Sequence, residues 1–305
     1  MKHFGLLALI LGIVITSLGS LQADENDVVK VLCYNIRLDN SGDGEDNWQK
    51  RKDFAMSVMT DEDYDFIGLQ EVVVEKRGGD VGQLEDVVKN LPDYGVIYRS
   101  RELSEEHGEC TPVFYNKKRW ELDPKEHGSF WLSATPGVPG SNTWNGACIR
   151  IASWGRFTCK KTGKSLYFAN THFDHVSDPA RENSAALLVD LIGKRKHKDE
   201  PVILTGDFNS SEKSNPIQYL SGNKALIDGK EMEPPLKLID TYRVYKPDGK
   251  EEGTFHGFTG KPGKHKIDFI FATPGTKVLN SNIIRIEREG RYPSDHFPIN
   301  AKLFW

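Results

Sequence analysis

The sequence predicts a layered α/β protein, and three observations carry that reading. Along the chain the apolar period switches repeatedly between two and about three and a half, the signature of strands alternating with helices. Several short apolar runs close on, or open with, a polar residue able to do chemistry. The chain has 305 residues, and the roughly 280 that follow its N-terminal leader suffice for one large core without covalent staples.

The elements follow in order. Val29 to Asn35 (VKVLCYN) is a strand ending on Asn35, and 39–47 (DNSGDGEDN) is a polar, turn-rich loop. Trp48 to Met59 has the spacing of an amphipathic helix. Asp65 to Glu71 (DFIGLQE) is a strand delivering Glu71, and Val81 to Leu91 a second helix. Strands follow at Tyr94 to Arg99, Thr111 to Asn116, Ile149 to Cys159 and Leu166 to Asn170, the last running on through THFD to His172 and Asp174. Pro179 then starts a helix to about Lys196, its apolar face on Ala185, Leu188, Val189 and Ile192. Pro201 to Ser210 (PVILTGDFNS) is a buried strand that brings out Asp207 and Asn209 together. Lys266 to Phe271 opens a strand with Asp268, and Ser294 to Ile299 opens one with Asp295 and His296. The stretch 221–235 has no period, and 245–266 carries Pro, Gly and Lys at loop density, as binding rims do. No repeat or linker divides the chain, so 24–305 is expected to form a single domain.

Each polar strand end has a bland reading as a turn or a cap. Their joint occurrence asks for more, because clustered carboxylates repel unless a proton or a cation compensates them. A hard, oxygen-seeking dication meets that need.

The ordered set Asn35, Gln70-Glu71, THFDH from Thr171, GDFN from Gly206, IDFIF from Ile267 and SDHFP from Ser294 resembles the endonuclease/exonuclease/phosphatase superfamily, the deoxyribonuclease I-like metal-dependent phosphoesterases. The resemblance covers nearly all of the chain after residue 27. It implies a four-layer α/β/β/α sandwich, two mixed β-sheets packed face to face with helices outside. It also implies Mg2+ or Mn2+ held by Glu71 and Asp295 with Asn35 beside them, Asp207 activating a water, Asn209 donating to the phosphate or helping to fix that water, and His296 on the phosphate. Asp268 would orient the His296 ring, and His172 would stand near the leaving-group oxygen. One position departs from the pattern. Two residues after Asn35, where some branches carry an acid, this chain has Arg37. Arg150, Tyr115 and Asp174 are further candidates for substrate contact, with His175 beside Asp174.

The implied function is hydrolysis of a phosphoester by metal-assisted attack of water. Nuclease, sphingomyelinase-like and sugar or inositol phosphatase activities share this machinery, and a binding protein that has lost turnover is the alternative from another class. Substrates would be a small molecule, a lipid head group or a short nucleic acid. With 40 Lys and Arg against 44 Asp and Glu, a net charge of −4 and a pI near 6.2, the chain lacks the basic excess of proteins that grip long duplexes. Stable duplex DNA binding is therefore not expected, and the run KRKHK at 194–198 is read as a solvated helix end. A monomer is expected.

Lys2 and His3, the apolar run Leu6 to Ile15 and the small-residue ending at Ala23 have the layout of a secretory signal peptide covering 1–23. The mature protein is expected to be exported, periplasmic or extracellular, with no transmembrane segment. Cys33, Cys110, Cys148 and Cys159 fit no zinc spacing; they allow up to two bridges, whose pairing sequence does not set.

Overall fold

A computed structural model describes residues 27–77, 81–250 and 252–305, so the expected signal peptide lies outside the described residues. Two six-stranded mixed sheets dominate. The first runs, edge to edge, through Lys277–Ile283, Ile299–Phe304, Val29–Asn35, Phe66–Gln70, Val113–Asn116 and Tyr94–Ile97. The second runs through Ile239–Asp240, Asp268–Ala272, Val202–Asp207, Ser165–His172, Ile151–Cys159 and Trp120–Trp131.

Register explains why the polar strand ends meet. Val29–Asn35 and Phe66–Gln70 run parallel with Asn35 opposite Gln70, so Glu71 follows at the same rim. In the second sheet Asp207 pairs with His172 of the parallel neighbour and with Asp268 of the antiparallel one. Parallel strands with continuous apolar runs must be covered on both faces. Their inner faces supply Val31, Cys33 and Phe66 from one sheet and Phe157, Phe168, Ile203 and Ile270 from the other. Phe66 stacks on Phe168 with ring centres 4.8 Å apart. On the outside, helices Trp48–Thr60 and Gln83–Asn90 bury Ala55, Met59, Leu84 and Val87 against Leu32, Tyr34 and Leu69. Helix Asp178–Lys194 buries Leu188, Val189 and Ile192 against the second sheet. The four-layer sandwich is thus present.

A polar knot ties the two sheets. Asn170, fully buried, donates from Nδ2 to the carbonyls of Leu69 (2.6 Å) and Pro112 (3.0 Å), and its Oδ1 accepts from Gln70 Nε2 (2.6 Å) and Thr205 Oγ1 (3.0 Å). Gly68 makes room for it, since a Cβ there would lie 2.2 Å from Thr205 Oγ1.

Several elements differ from expectation. The segment 294–299 is not a strand; the strand is Ile299–Phe304. Phe297 N donates to the carbonyl of Thr254, and Pro298 has no N–H to offer a ladder. Within 221–235 lies a hairpin of Ala225–Ile227 and Lys230–Met232, turned by Asp228 and Gly229 at φ 50 and 73. Its strands are too short to leave a period. The edge strand Trp120–Trp131 contains Pro124 and shifts register between Leu122 and His127. All four cysteines are free thiols.

Candidate active site

The site lies where the two sheets present their strand ends to one cleft of about 600 Å³. Its base is a row of buried polar side chains. Asn35 Oδ1 accepts from the backbone N of Arg37 (3.0 Å), which fixes the amide so that Nδ2 faces Glu71 Oε1 (3.1 Å) and Asp207 Oδ2 (3.0 Å). Asn35 therefore braces the two carboxylates with its nitrogen and does not turn an oxygen toward Glu71. Glu71 Oε2 accepts from Leu38 N (3.1 Å). Its carboxyl stays below its usual range even though burial opposes this, because His296, the Asn35 amide, Leu38 N and Arg37 all favour the anion.

Asp207 closes its strand on a tight turn in which Oδ1 accepts from Asn209 N (2.9 Å). Burial first, and then the charge of Asp268, push its carboxyl up to about 7. A carboxylate of that basicity is suited to taking a proton near neutral pH. His296 Nδ1 is 2.9 Å from Asp268 Oδ2. Burial disfavours the imidazolium, but the charges of Asp268, Asp207 and Asp295 outweigh it and hold the ring's pKa well above the ordinary value. His172 behaves in the opposite way: burial, with Arg150 and Arg101 nearby, drives it well below and keeps the ring neutral. Asn209 Nδ2 donates to the carbonyl of Phe173 (3.1 Å) and lies 3.1 Å from His172 Nε2. Two histidines of opposite charge state thus flank one carboxylate, with Asp207 Oδ2 3.4 Å from His172 Nε2 and 3.8 Å from His296 Nε2.

Oxygen donors for a cation are present. Glu71 Oε2 and Asp295 Oδ2 lie 3.9 and 3.8 Å from the Arg37 guanidinium, which Asp43 grips through two bonds of 2.9 Å. Asp295 is raised by burial, with Glu71 adding to the effect. Three carboxylates around one guanidinium leave negative charge in excess, and carboxylate oxygens are the ligands a hard dication takes. Separately, Asp207, Asp268 and His296 offer ligand atoms within 4.8 Å of one another. Three residues of this site sit in the left-handed backbone region, Arg37 at φ 56, Glu71 at φ 60 and Asn209 at φ 47.

Glu71, His172, Asp207, Asn209, Asp295 and His296 all line the cleft, as does Arg150. Asp268 stands behind His296. Tyr115, expected at the substrate, lies elsewhere: its ring is tucked between the sheets, 5.0 Å from that of Phe157, because its strand turns that face inward. Asp174 is also withdrawn. It accepts from the backbone N of Cys148 (3.0 Å), Val176 (2.9 Å) and Ser177 (2.7 Å), so it shapes the loop that carries His175 into the cleft. Trp48, Trp131, Trp144 and Trp154 do not line the cleft; they pack in the core or at its margin.

The structure adds residues that sequence did not single out. Phe255 and Phe258 form one wall of the cleft and Arg101 and Glu109 another. The first pair comes from 245–266, which sequence marks as a loop of the kind that forms rims without singling out its aromatic residues. The second comes from 99–109, where mixed charge looks like ordinary surface.

Comparison with known proteins agrees with this geometry. The sequence profile of the Endonuclease/Exonuclease/phosphatase family matches residues 32–296. An endonuclease/exonuclease/phosphatase from Bacteroides vulgatus is 34% identical, with a TM-score of 0.78 over 90% of this chain and 98% of that one. A mannosyl-6-phosphatase from Bacteroides thetaiotaomicron is 30% identical, with a TM-score of 0.74 over 91% and 100%. Among curated relatives, protein L388 of Acanthamoeba polyphaga mimivirus is 28% identical over 168 residues, 54% of this chain. This chain spans 60% of that relative's length, less than two thirds. The profile match across most of the chain, together with the shared sandwich, places the protein in the endonuclease/exonuclease/phosphatase family.

Proposed function

We propose that the protein is an exported, divalent-metal-dependent hydrolase of phosphoesters, and that its substrate is a small phosphorylated sugar. The observation that carries the chemistry is the buried row Glu71, Asn35, Asp207, His296 and Asp268, in which a raised carboxylate stands beside a charged imidazole. Asp207 accepts a proton from the attacking water. His296 donates to the phosphoryl oxygens, Asn209 steadies Asp207 through its backbone N–H, and Asp268 holds the His296 ring so that Nε2 faces the cleft. His172, kept neutral, accepts from Asn209 Nδ2 at 3.1 Å and stands beside Asp207 at the cleft. Glu71 and Asp295 would hold Mg2+ or Mn2+, which supplies charge neutralisation on the phosphate and leaving oxygen when bound.

The sugar is favoured by two features. The cleft has the volume of a site for one small ligand, and Phe255 and Phe258 contribute aromatic surface to its lining. The likeness to the Bacteroides mannosyl-6-phosphatase, which this chain covers over its full length, points the same way. Duplex DNA is disfavoured, since Lys194 pairs with Asp190 (2.7 Å) and Arg195 caps the carbonyls of Ile192 and Glu200.

A second reading, a binding protein without turnover, has one observation in its favour: Arg37 already places a cation between Glu71 and Asp295. Release of inorganic phosphate from mannose 6-phosphate, beside a panel of inositol phosphates, sphingomyelin, RNA and single-stranded DNA, separates the two. Turnover that needs Mg2+ or Mn2+ and stops on chelation is expected. No turnover on any member, or turnover indifferent to chelator, defeats the proposal.

A further inference from the structure

One end of the cleft is closed by charge. Arg101 is pinned by Glu109, which takes both of its terminal nitrogens at 3.0 and 2.7 Å. Beside it Arg150, only 7% exposed, makes no ion pair among the described residues, and its Nε has no hydrogen-bond partner there. Its one polar contact is Nη2 to His175 Nδ1, 3.2 Å away. A guanidinium only donates, so Nδ1 of His175 accepts and the ring proton sits on Nε2. Arg101 takes Glu109 and, at 3.5 Å, Glu102, so no carboxylate pairs with Arg150 among the described residues and its buried positive charge is unmatched. Such a charge is costly unless an anion completes it.

The space in front of it is small. A void of about 10 Å³, lined by Glu71, His172, Arg101, Arg150 and Glu109, joins the reacting groups to this wall. It holds roughly one water-sized atom. A bare phosphoryl oxygen fits there, and any bulkier substituent has to lie in the larger cleft that the same residues border.

We infer that Arg150, backed by Arg101 and His175, is the specificity wall that reads a terminal phosphoryl group and makes this site selective for phosphomonoesters over phosphodiesters. A monoester carries close to two negative charges at neutral pH and a diester one, and the unmatched guanidinium supplies the difference. Hydrogen bonds to a charged partner are strong enough to discriminate about 10- to 100-fold. This inference rests on the reading of the cleft as a phosphoester site.

The test compares kcat/KM for p-nitrophenyl phosphate and bis-p-nitrophenyl phosphate, with Mn2+ present, in the wild type, Arg150→Gln, Arg150→Lys and His175→Ala. Melting curves confirm folding. Wild type should prefer the monoester, and Arg150→Gln should lower the ratio of monoester to diester efficiency by about tenfold or more. Arg150→Lys should recover part of that ratio, and the exposed His175→Ala should lower it severalfold. Titration with inorganic phosphate should show binding weakened about tenfold or more in Arg150→Gln. A wild type that prefers the diester overturns the inference while leaving the hydrolase intact, as do variants whose two efficiencies fall alike. Should Arg150→Gln fail to fold, the His175→Ala ratio decides. If the wild type hydrolyses neither ester, the functional reading fails, and the phosphate titration alone decides whether Arg150 takes a terminal phosphate.

Discussion

Asp268 Oδ2 lies 2.9 Å from Nδ1 of His296, and that contact determines that Nε2, the other ring nitrogen, is the one facing Asp207 at 3.8 Å. The two residues are 28 apart in sequence, on the Asp268–Ala272 strand and on the loop before Ile299–Phe304.

Asp268→Asn removes the charge that sustains the imidazolium while keeping the shape of the partner. Turnover should fall about 10- to 100-fold, the usual effect of losing a group that orients a reacting histidine. The alkaline limb of the pH profile should also move to lower pH, because His296 then loses its proton sooner. A full pH–rate profile reads both, and an unmoved limb would show that Asp268 acts only by packing.

Glu71→Gln replaces a carboxylate braced by Asn35 Nδ2 and Leu38 N with a weaker ligand for a hard cation. The Mg2+ concentration giving half-maximal rate should rise about tenfold or more. Superimposable metal titrations of variant and wild type would remove Glu71 from the metal.

Asn170→Ala unties the sheets. It removes four buried hydrogen bonds and leaves Gln70 Nε2 with the Gly68 carbonyl (3.3 Å), Thr205 Oγ1 with the Ala169 carbonyl (3.3 Å) and the Pro112 carbonyl with Leu69 N (3.2 Å). Each lost hydrogen bond costs about 0.5–1.5 kcal/mol, so a loss of about 2 kcal/mol or more is expected in urea unfolding. A midpoint unchanged from wild type would mean that water enters and replaces the amide.

His256 gives a pH test. Its ring stacks on Phe297 at 4.0 Å, and burial, with the charge of His296 adding, depresses its pKa from 6.5 to about 4. The folded state therefore resists a proton that the unfolded chain accepts. The stability this lends is present above pH 6.5 and is lost as pH falls from there toward 4. His256→Phe keeps the stacking and lacks the proton, so its melting temperature should decline less steeply over that window. Parallel declines would assign the acid sensitivity to other groups.

Much of this was legible in the sequence, for a physical reason. Strands such as VKVLCYN and VILTGD are buried on both faces, so they appear as unbroken apolar runs whose polar end stands out. Runs of that kind identify Asn35, Glu71 and Asp207 before any coordinates exist. Tyr115 shows the limit: a strand residue two positions from Val113 can face the inter-sheet core or the rim, and the pattern VFYN does not say which. Arg101 and Glu109 were hidden for another reason. They meet across a loop and a two-residue strand, and their ion pair exists only after the chain has folded back. Asp174 is an ordinary loop anchor beside neighbours that line the cleft, which only its three backbone donors reveal.

The left-handed backbone at Arg37, Glu71 and Asn209 has an evolutionary corollary. A residue with a Cβ gives up about 1–2 kcal/mol in that conformation, asparagine less than the others, and glycine would give up almost nothing. Glycine would relieve that strain at all three positions, yet it would also give up the bonds of Arg37 to Asp43, of Glu71 to Asn35 Nδ2 and Leu38 N, and of Asn209 to the Phe173 carbonyl. The backbone strain is thus held in place by the same side-chain contacts that shape the cleft, and a lineage that loses those contacts loses the reason to keep a Cβ there.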